Sequence, residues 1–296
     1  MAKVGFIGLG NMGGPMAVNI AQSDHEVIGF DLLESNVSRV VDKGVSAAEE
    51  VSEAVLDSYA VVTCLPAGKH IRELYLGEAG ILAMAAPGTV FIDASTVDIE
   101  ASRAVHEEAE TRGQHYVDAP MSGGVGGAQA GTLTFMVGGL EESFERAEPF
   151  LKTMGKTIVH AGGPGAGTAA KICNNMILGI SMIGVCEAFV LAEKLGLSHQ
   201  KLFDISSTAS GRCWSLDTYC PVPGPVSASP ANFNYKAGFT TAMMLKDLRL
   251  SQAAAETAGT QTDLGALATE LYTKFDEGGD SGTDFSGIIR MIRGGE

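Results

Sequence analysis

Lys171 and Asn175 stand one helical turn apart in GPGAGTAAKICNN, at the head of the apolar run MILGISMIGV. Residues four apart share a helix face, so the cation and the amide are presented together, while Asn174 lies at a different azimuth. A lysine on an apolar helix is costly unless it is paired or held neutral. Such a lysine can exchange a proton near neutral pH, with Asn175 orienting it or holding a hydroxyl. Taken alone, a lysine here would more often reach solvent along its stem. Gly165 and Gly167 loosen the helix entry and allow close approach.

Two further stretches carry chemistry. In DAPMSGGVGGAQAGTL, Ser122 precedes Gly123 and Gly124 just after a strand end. A hydroxyl beside consecutive glycine N–H groups forms a small concavity for an anion such as a carboxylate; a merely flexible glycine loop is the other reading. In GFIGLGNMG, Gly8, Gly10 and Gly13 follow a strand and open a helix, with Asn11 and Met12 between the last two glycines. That turn brings a pyrophosphate to a helix N-terminus. Asp31 closes the next strand, placed to accept hydrogen bonds from ribose hydroxyls and to repel a 2′-phosphate. Leu32 and Leu33 follow it in place of an arginine, which points to NAD over NADP.

These residues need elements to hold them. Up to about residue 160, strand-like runs (KVGFIGLG, HEVIGFD, YAVVTCLP, GTVFIDAS, QHYVDAP, LTFMVGG) alternate with helical ones such as DIEASRAVHEEAETRG. That alternation predicts a parallel sheet with crossover helices. From about Gly165 the strand signal stops and helical periodicity takes over. YCPVPGPVSASPANFNYKAG, with four prolines, interrupts it as an irregular excursion. The apolar stretch from Ile172 to Ala192 is interrupted by Asn174, Asn175 and Glu187 and lacks basic flanks, which favours a helix buried in protein over a membrane span.

Composition narrows the function. The 296-residue chain is 45% hydrophobic and carries a net charge of −15. That charge argues against nucleic acid. Five cysteines without CxxC spacing predict reduced thiols, and neither they nor the six histidines make a zinc pattern, so no metal is expected. The N-terminus enters a strand directly, which predicts a cytoplasmic protein.

Together the motifs GFIGLGNMGGPMA, DAPMSGGVGGAQAGTL, GAGTAAKICNNM and KDLRLS, in that order over essentially the whole chain, resemble the β-hydroxyacid dehydrogenase family. CWSLDTYCPVPG followed by PANFNYKAGF is similar to the long substrate-side segment of members that act on 3-hydroxyisobutyrate. The resemblance implies a Rossmann-type doubly wound parallel sheet domain over 1–163, then a second domain over 164–296: a long connecting helix, about 165–195, and an all-helical C-terminal part. It implies NAD-dependent oxidation of 3-hydroxyisobutyrate to methylmalonate semialdehyde, with Lys171 as proton acceptor. Ser122, Gly123 and Gly124 would bind the carboxylate, Asn175 the substrate, and Asn174 would support it. Leu65, Pro66 and Thr96 would line the nicotinamide half of the cofactor site and His70 would touch the cofactor. Lys246 would reach the cofactor and Asp247 would lie beside the substrate. Trp214, a core anchor or a pocket wall, and Tyr219 would complete the substrate side. L-serine, 3-hydroxypropionate and tartronate semialdehyde are rival substrates of the same chemistry, and a non-catalytic NAD sensor is a rival of another class. A homodimer or homotetramer is expected, because so apolar a helix calls for a partner surface.

Overall fold

The computed structural model describes residues 1–294. The chain divides into two compact units, Met1–Lys171 and Ile172–Glu296.

The first unit is built on nine strands: β1 (Lys3–Ile7), β2 (Glu26–Phe30), β3 (Val45–Ala47), β4 (Ala60–Thr63), β5 (Val90–Asp93), β6 (His115–Asp118), β7 (Met121–Ser122), β8 (Leu133–Gly138) and β9 (Gly155–Gly162). Between them run α1 (Gly13–Ala21), α2 (Glu34–Val41), α3 (Val51–Val55), α4 (Gly68–Tyr75), α5 (Ile81–Met84), α6 (Ile99–Thr111), α7 (Gly124–Ala130) and α8 (Glu141–Met154). The sheet order is β3-β2-β1-β4-β5-β6-β8-β7, with β9 also on β8. The first six of these are parallel, as expected for strands joined by crossover helices. β4 and β5 are buried at every position, the mark of central strands covered on both faces.

The sheet is not parallel throughout. β8 runs antiparallel to β6 and β7 and parallel to β9. Sequence alternation sees β8 but not its direction, since α7 and its turns, which precede β8, do not say which edge the strand will meet. β9 went unpredicted because its side chains alternate between exposed and half-buried, so it lacks an apolar run.

The register puts one residue of each central strand in a row at the carboxyl edge. Ile7 pairs with Thr63, Thr63 with Asp93, and Asp93 with Asp118. Residues side by side in a parallel ladder share a face, so Thr63, Asp93 and Asp118 line up under α4 and α6. Apart from that polar row, the same face is packed by Val61, Phe91, Ile71, Tyr75 and Val105. The opposite face carries Val4, Phe6, Val62 and Ile92 against Met16, Ala17 and Phe150. Each such side chain contributes about 1.5–3 kcal/mol by leaving water.

A long helix, α9 (Ala166–Lys194), links the two units, as the sequence predicts. It is long and apolar enough to cross a membrane by composition, yet only 39% of its most apolar window is buried. The sequence reading is a helix buried in protein that still calls for a partner surface, and on this chain Ile177 and Leu191 stand 62% and 59% exposed. The second unit adds α10 (His199–Ser206), α11 (Trp214–Asp217), α12 (Thr241–Thr257), α13 (Asp263–Phe275) and α14 (Ile288–Ile292). Its core gathers Met182, Phe189, Leu248, Tyr272, Phe285 and Ile288. The proline-rich segment is irregular, apart from one 3-10 turn at Pro230–Phe233. It is nonetheless packed: Tyr235 donates to the Pro221 carbonyl at 2.8 Å and Ser229 to that of Cys220. All five cysteines are free thiols.

Candidate active site

The glycine turn has the geometry that each glycine's position requires. Gly8 sits at φ +95°, where a side chain is strained, and a Cβ there would lie 2.4 Å from the Cys64 carbonyl oxygen. A Cβ at Gly13 would stand 1.9 Å from the Gly8 carbonyl oxygen, so α1 can only approach β1 through a glycine. Gly10 faces open space, which leaves room for a ligand to approach its backbone. Met12 precedes α1 without a side-chain cap; the Gly14 N–H is taken by the Gly10 carbonyl at 3.0 Å and Pro15 has none, which leaves the Gly13 N–H as the helix's opening donor for an anion. These features fit a dinucleotide.

Asp31, at the end of β2, accepts from the N–H of Leu9 at 2.7 Å and of Leu33 at 2.8 Å. Its carboxylate is thereby locked beside the glycine turn. The sequence shows no arginine directly after Asp31, but Arg39 on α2 folds back to the same place. It donates to Asn36 at 2.5 Å, to the Leu9 carbonyl at 3.4 Å and to Asn11 at 3.5 Å. A cation thus stands at the glycine turn that sequence adjacency did not reveal.

Leu65 and Pro66 follow β4, and Thr96 follows β5, all at the carboxyl edge where open α/β sheets bind ligands. Their loops are tied together: Ser95 accepts from the Leu65 N–H at 2.8 Å. Beneath them lies a buried hub that the motifs do not reveal. Asp93 accepts from Thr63 at 2.8 Å, from the Ser95 N–H at 3.1 Å and from the Tyr116 hydroxyl at 3.1 Å. Thr63 in turn meets the Tyr75 hydroxyl at 2.8 Å. Burial raises the pKa of Asp93 against the lowering effect of these donors, and burial and the Asp93 charge push both tyrosines well up. A row of polar residues within otherwise apolar strands is the signal that would have found the hub. His70 lies on α4, and its buried Nδ1 lacks a hydrogen-bond partner, as a ligand contact would require.

Ser122 ends β7 and Gly123 and Gly124 turn the chain into α7, at φ +134° and +63°. The segment is an ordered strand-to-helix turn, with Leu133 directly against the Gly123 backbone. Lys171 is 7% exposed on α9, so it does not reach solvent along its stem.

Asn175 is 1% exposed. It accepts from Asn174 at 2.9 Å and donates to Asp247 on α12 at 2.5 Å. The other Asp247 oxygen has no hydrogen-bond partner and lies 3.5 Å from the Lys246 ammonium. Asn174, Asn175, Lys246 and Asp247, predicted from separate motifs, thus form one connected set. Trp214 is 49% exposed, which excludes the core-anchor reading. It stacks on Tyr219 at 4.8 Å, and Tyr219 stacks on Phe285 at 5.4 Å. The Tyr219 hydroxyl donates to buried Asp284 at 2.9 Å, and burial and then the Asp284 charge push its pKa up.

Two family models cover the chain. The "NAD binding domain of 6-phosphogluconate dehydrogenase" matches residues 3–163, and "NAD-binding of NADP-dependent 3-hydroxyisobutyrate dehydrogenase" matches 165–292. The chain is similar to the solved structure of Mycobacterium tuberculosis 3-hydroxyisobutyrate dehydrogenase with L-serine, at 47% identity and TM-score 0.94 over 99% of each chain. It is 45% identical to a 3-hydroxyisobutyrate dehydrogenase of Pseudomonas aeruginosa, over 99% of both. It is also 43% identical to the NAD-dependent L-serine dehydrogenase of that organism, over 99% of this chain and 98% of the other.

Proposed function

The chain belongs to the β-hydroxyacid dehydrogenase family, and from that premise we propose that it oxidises 3-hydroxyisobutyrate to methylmalonate semialdehyde with Lys171 as proton acceptor. The observation that carries the reading is Lys171 itself, an amine 7% exposed on α9, one turn ahead of a buried Asn175. An amine at that place on the helix is the kind of group that takes a hydroxyl proton in its neutral form.

NAD, when bound, supplies the hydride acceptor. The glycine turn would hold its pyrophosphate, with the Gly13 N–H as the opening donor of α1, and Asp31 would hold the adenine ribose. Leu65, Pro66, Thr96 and His70 would shape the nicotinamide end, and Lys246 would reach the cofactor. Ser122 and the N–H groups of Gly123 and Gly124 hold the substrate carboxylate. Lys171 accepts the hydroxyl proton, Asn175 orients the hydroxyl and Asn174 supports Asn175. Asp247, Trp214 and Tyr219 line the substituent side. Asp31 favours NAD; Arg39 is the group through which NADP would gain a foothold. We place the domain division after residue 163, between the stretches that the two family models match, ahead of the compact units' own boundary at Lys171. The exposed apolar residues of α9, Ile177 and Leu191, are read as part of a homodimer or homotetramer surface.

The same site could take L-serine, whose ammonium replaces the methyl group. The buried Asp247 carboxylate, whose Oδ1 makes no hydrogen bond and meets a cation at 3.5 Å, is the observation that favours this second reading. Initial rates of NADH formation separate the two: 3-hydroxyisobutyrate, L-serine and 3-hydroxypropionate are compared with NAD and NADP, beside Lys171→Ala. The highest kcat/KM is expected for 3-hydroxyisobutyrate with NAD, with kcat falling at least about 1,000-fold in the variant, the range of a lost acid–base group. A preference for L-serine would change the substrate, and turnover in Lys171→Ala would remove the mechanism.

A further inference from the structure

Asp118, at the end of β6, is 1% exposed and has no part in the chemistry above. Its Oδ1 accepts from the Gly165 N–H at 3.0 Å and its Oδ2 from the Thr168 N–H at 2.6 Å. One carboxylate therefore grips the start of α9 at two points. His106 on α6 meets Oδ1 at 2.7 Å. A carboxylate oxygen accepts, which assigns the hydrogen of this bond to the histidine Nε2. The imidazole is held edge-on by Tyr116, at 4.6 Å and 89°.

The backbone closes around the same point. A Cβ at Gly167 would stand 2.3 Å from the Met136 carbonyl oxygen and 2.4 Å from that of Asp118. One at Gly138 would stand 2.5 Å from Asp118 Oδ1. No side chain fits at either position, so the first turn of α9 lies directly on the carboxyl edge of β6 and β8. An ordinary helix cap comes from the residue just before the helix. Here it comes from a strand 47 residues earlier in the chain, and it fixes the helix to the sheet. Lys171 follows Thr168 by one turn.

We propose that Asp118, oriented by His106, is the positioning residue that sets the height and rotation of α9 and hence the place of the Lys171 amine. The inference rests on the reading of Lys171 as proton acceptor. Around the carboxylate stand His106 and Arg103 of α6, the latter over Gly165, and Tyr116 of β6, whose pKa burial, the Asp93 charge and, to a lesser degree, Asp118 raise. From β8 the neighbour is Gly138. The start of a helix carries partial positive charge, which Asp118 offsets. Replacing it by a neutral amide leaves that charge uncompensated and disfavours an ammonium one turn away.

The test uses the full-length enzyme and measures kcat, KM, NADH affinity by fluorescence and the pH profile of kcat/KM. For Asp118→Asn, kcat is expected to fall at least about 30-fold with NADH affinity within about twofold, and the acid limb of the profile to move to lower pH. His106→Phe is expected to lose about tenfold in kcat, and His106→Gln, which keeps a donor, to recover most of that loss. Unchanged kcat in Asp118→Asn, an unmoved acid limb, or kcat and NADH affinity falling together would each overturn the proposal. Where Asp118→Asn does not fold, equal activity of the two His106 variants overturns it. Turnover in Lys171→Ala would instead refute the underlying reading, and this inference with it.

Discussion

The two units hold their candidate residues by different means. In the first, the glycine turn and the SerGlyGly turn are shaped by backbone. Gly8 and Gly123 sit at positive φ, and Gly13 admits no side chain. In the second, the candidates are held by side chains from distant segments. Asp247 of α12 holds Asn175 of α9. Asp284 gathers the Tyr219 hydroxyl, the N–H groups of Gly238 and Phe239, and both the N–H and the hydroxyl of Ser286. A backbone site fails when an atom is added, and a side-chain site when one is removed.

The largest effect is expected where the backbone has no slack. Gly13→Ala would drive a Cβ to 1.9 Å from the Gly8 carbonyl oxygen, a backbone clash worth up to about 3 kcal/mol. NADH affinity should fall at least about 30-fold by fluorescence titration. Near-normal affinity would show that the turn can relax and would erase the contrast between the units.

Asp284→Ala tests the other side. It strands several buried donors at once, and breaking such a network costs about 3–5 kcal/mol. Trp214, the only tryptophan, stacks on the tyrosine that Asp284 holds, so urea unfolding followed by its emission reads this unit directly. The midpoint should drop markedly, while NADH affinity falls less than in Gly13→Ala.

The smallest effect concerns acid. Burial raises the pKa of Asp93 above its ordinary value, so the folded state holds that proton more tightly than the unfolded one. Its contribution therefore favours folding more as pH falls from the raised value towards about 4, and is constant below. Glu193 has the opposite sign. Its bonds to Arg293, then to His199, lower its pKa, so its stabilisation is present above about 4 and fades as pH falls through the lowered value. Unfolding of Asp93→Asn and Glu193→Gln between pH 3 and 7 should change the pH slope in opposite directions. Equal slopes would refute the assignment.

Much of this was legible in the sequence because local rules suffice for it. The glycine spacing, Asp31 at a strand end, the strand–helix alternation and the span of α9 each follow from short-range pattern. The strand β9 was not legible, since its exposed pleat carries no apolar run, and the reversal of β8 depends on which edge it meets. Arg39 was missed because it returns to the glycine turn from the following helix. Which side chains of α9 lie exposed was not legible, because apolar composition does not say which neighbours a helix has.

By itself the sequence determined the two kinds of architecture, the dinucleotide turn, the SerGlyGly turn and the lysine–asparagine face, since each depends on residues within a few turns of one another. Only the tertiary structure decided that Thr63, Asp93 and Asp118 stand in one row, that Asp118 grips the start of α9, and that Asp247 and Asp284 anchor the second unit. Those depend on sheet register and on chain segments meeting across long sequence separations, where a carboxylate's partners are set by which buried donors would otherwise go unpaired.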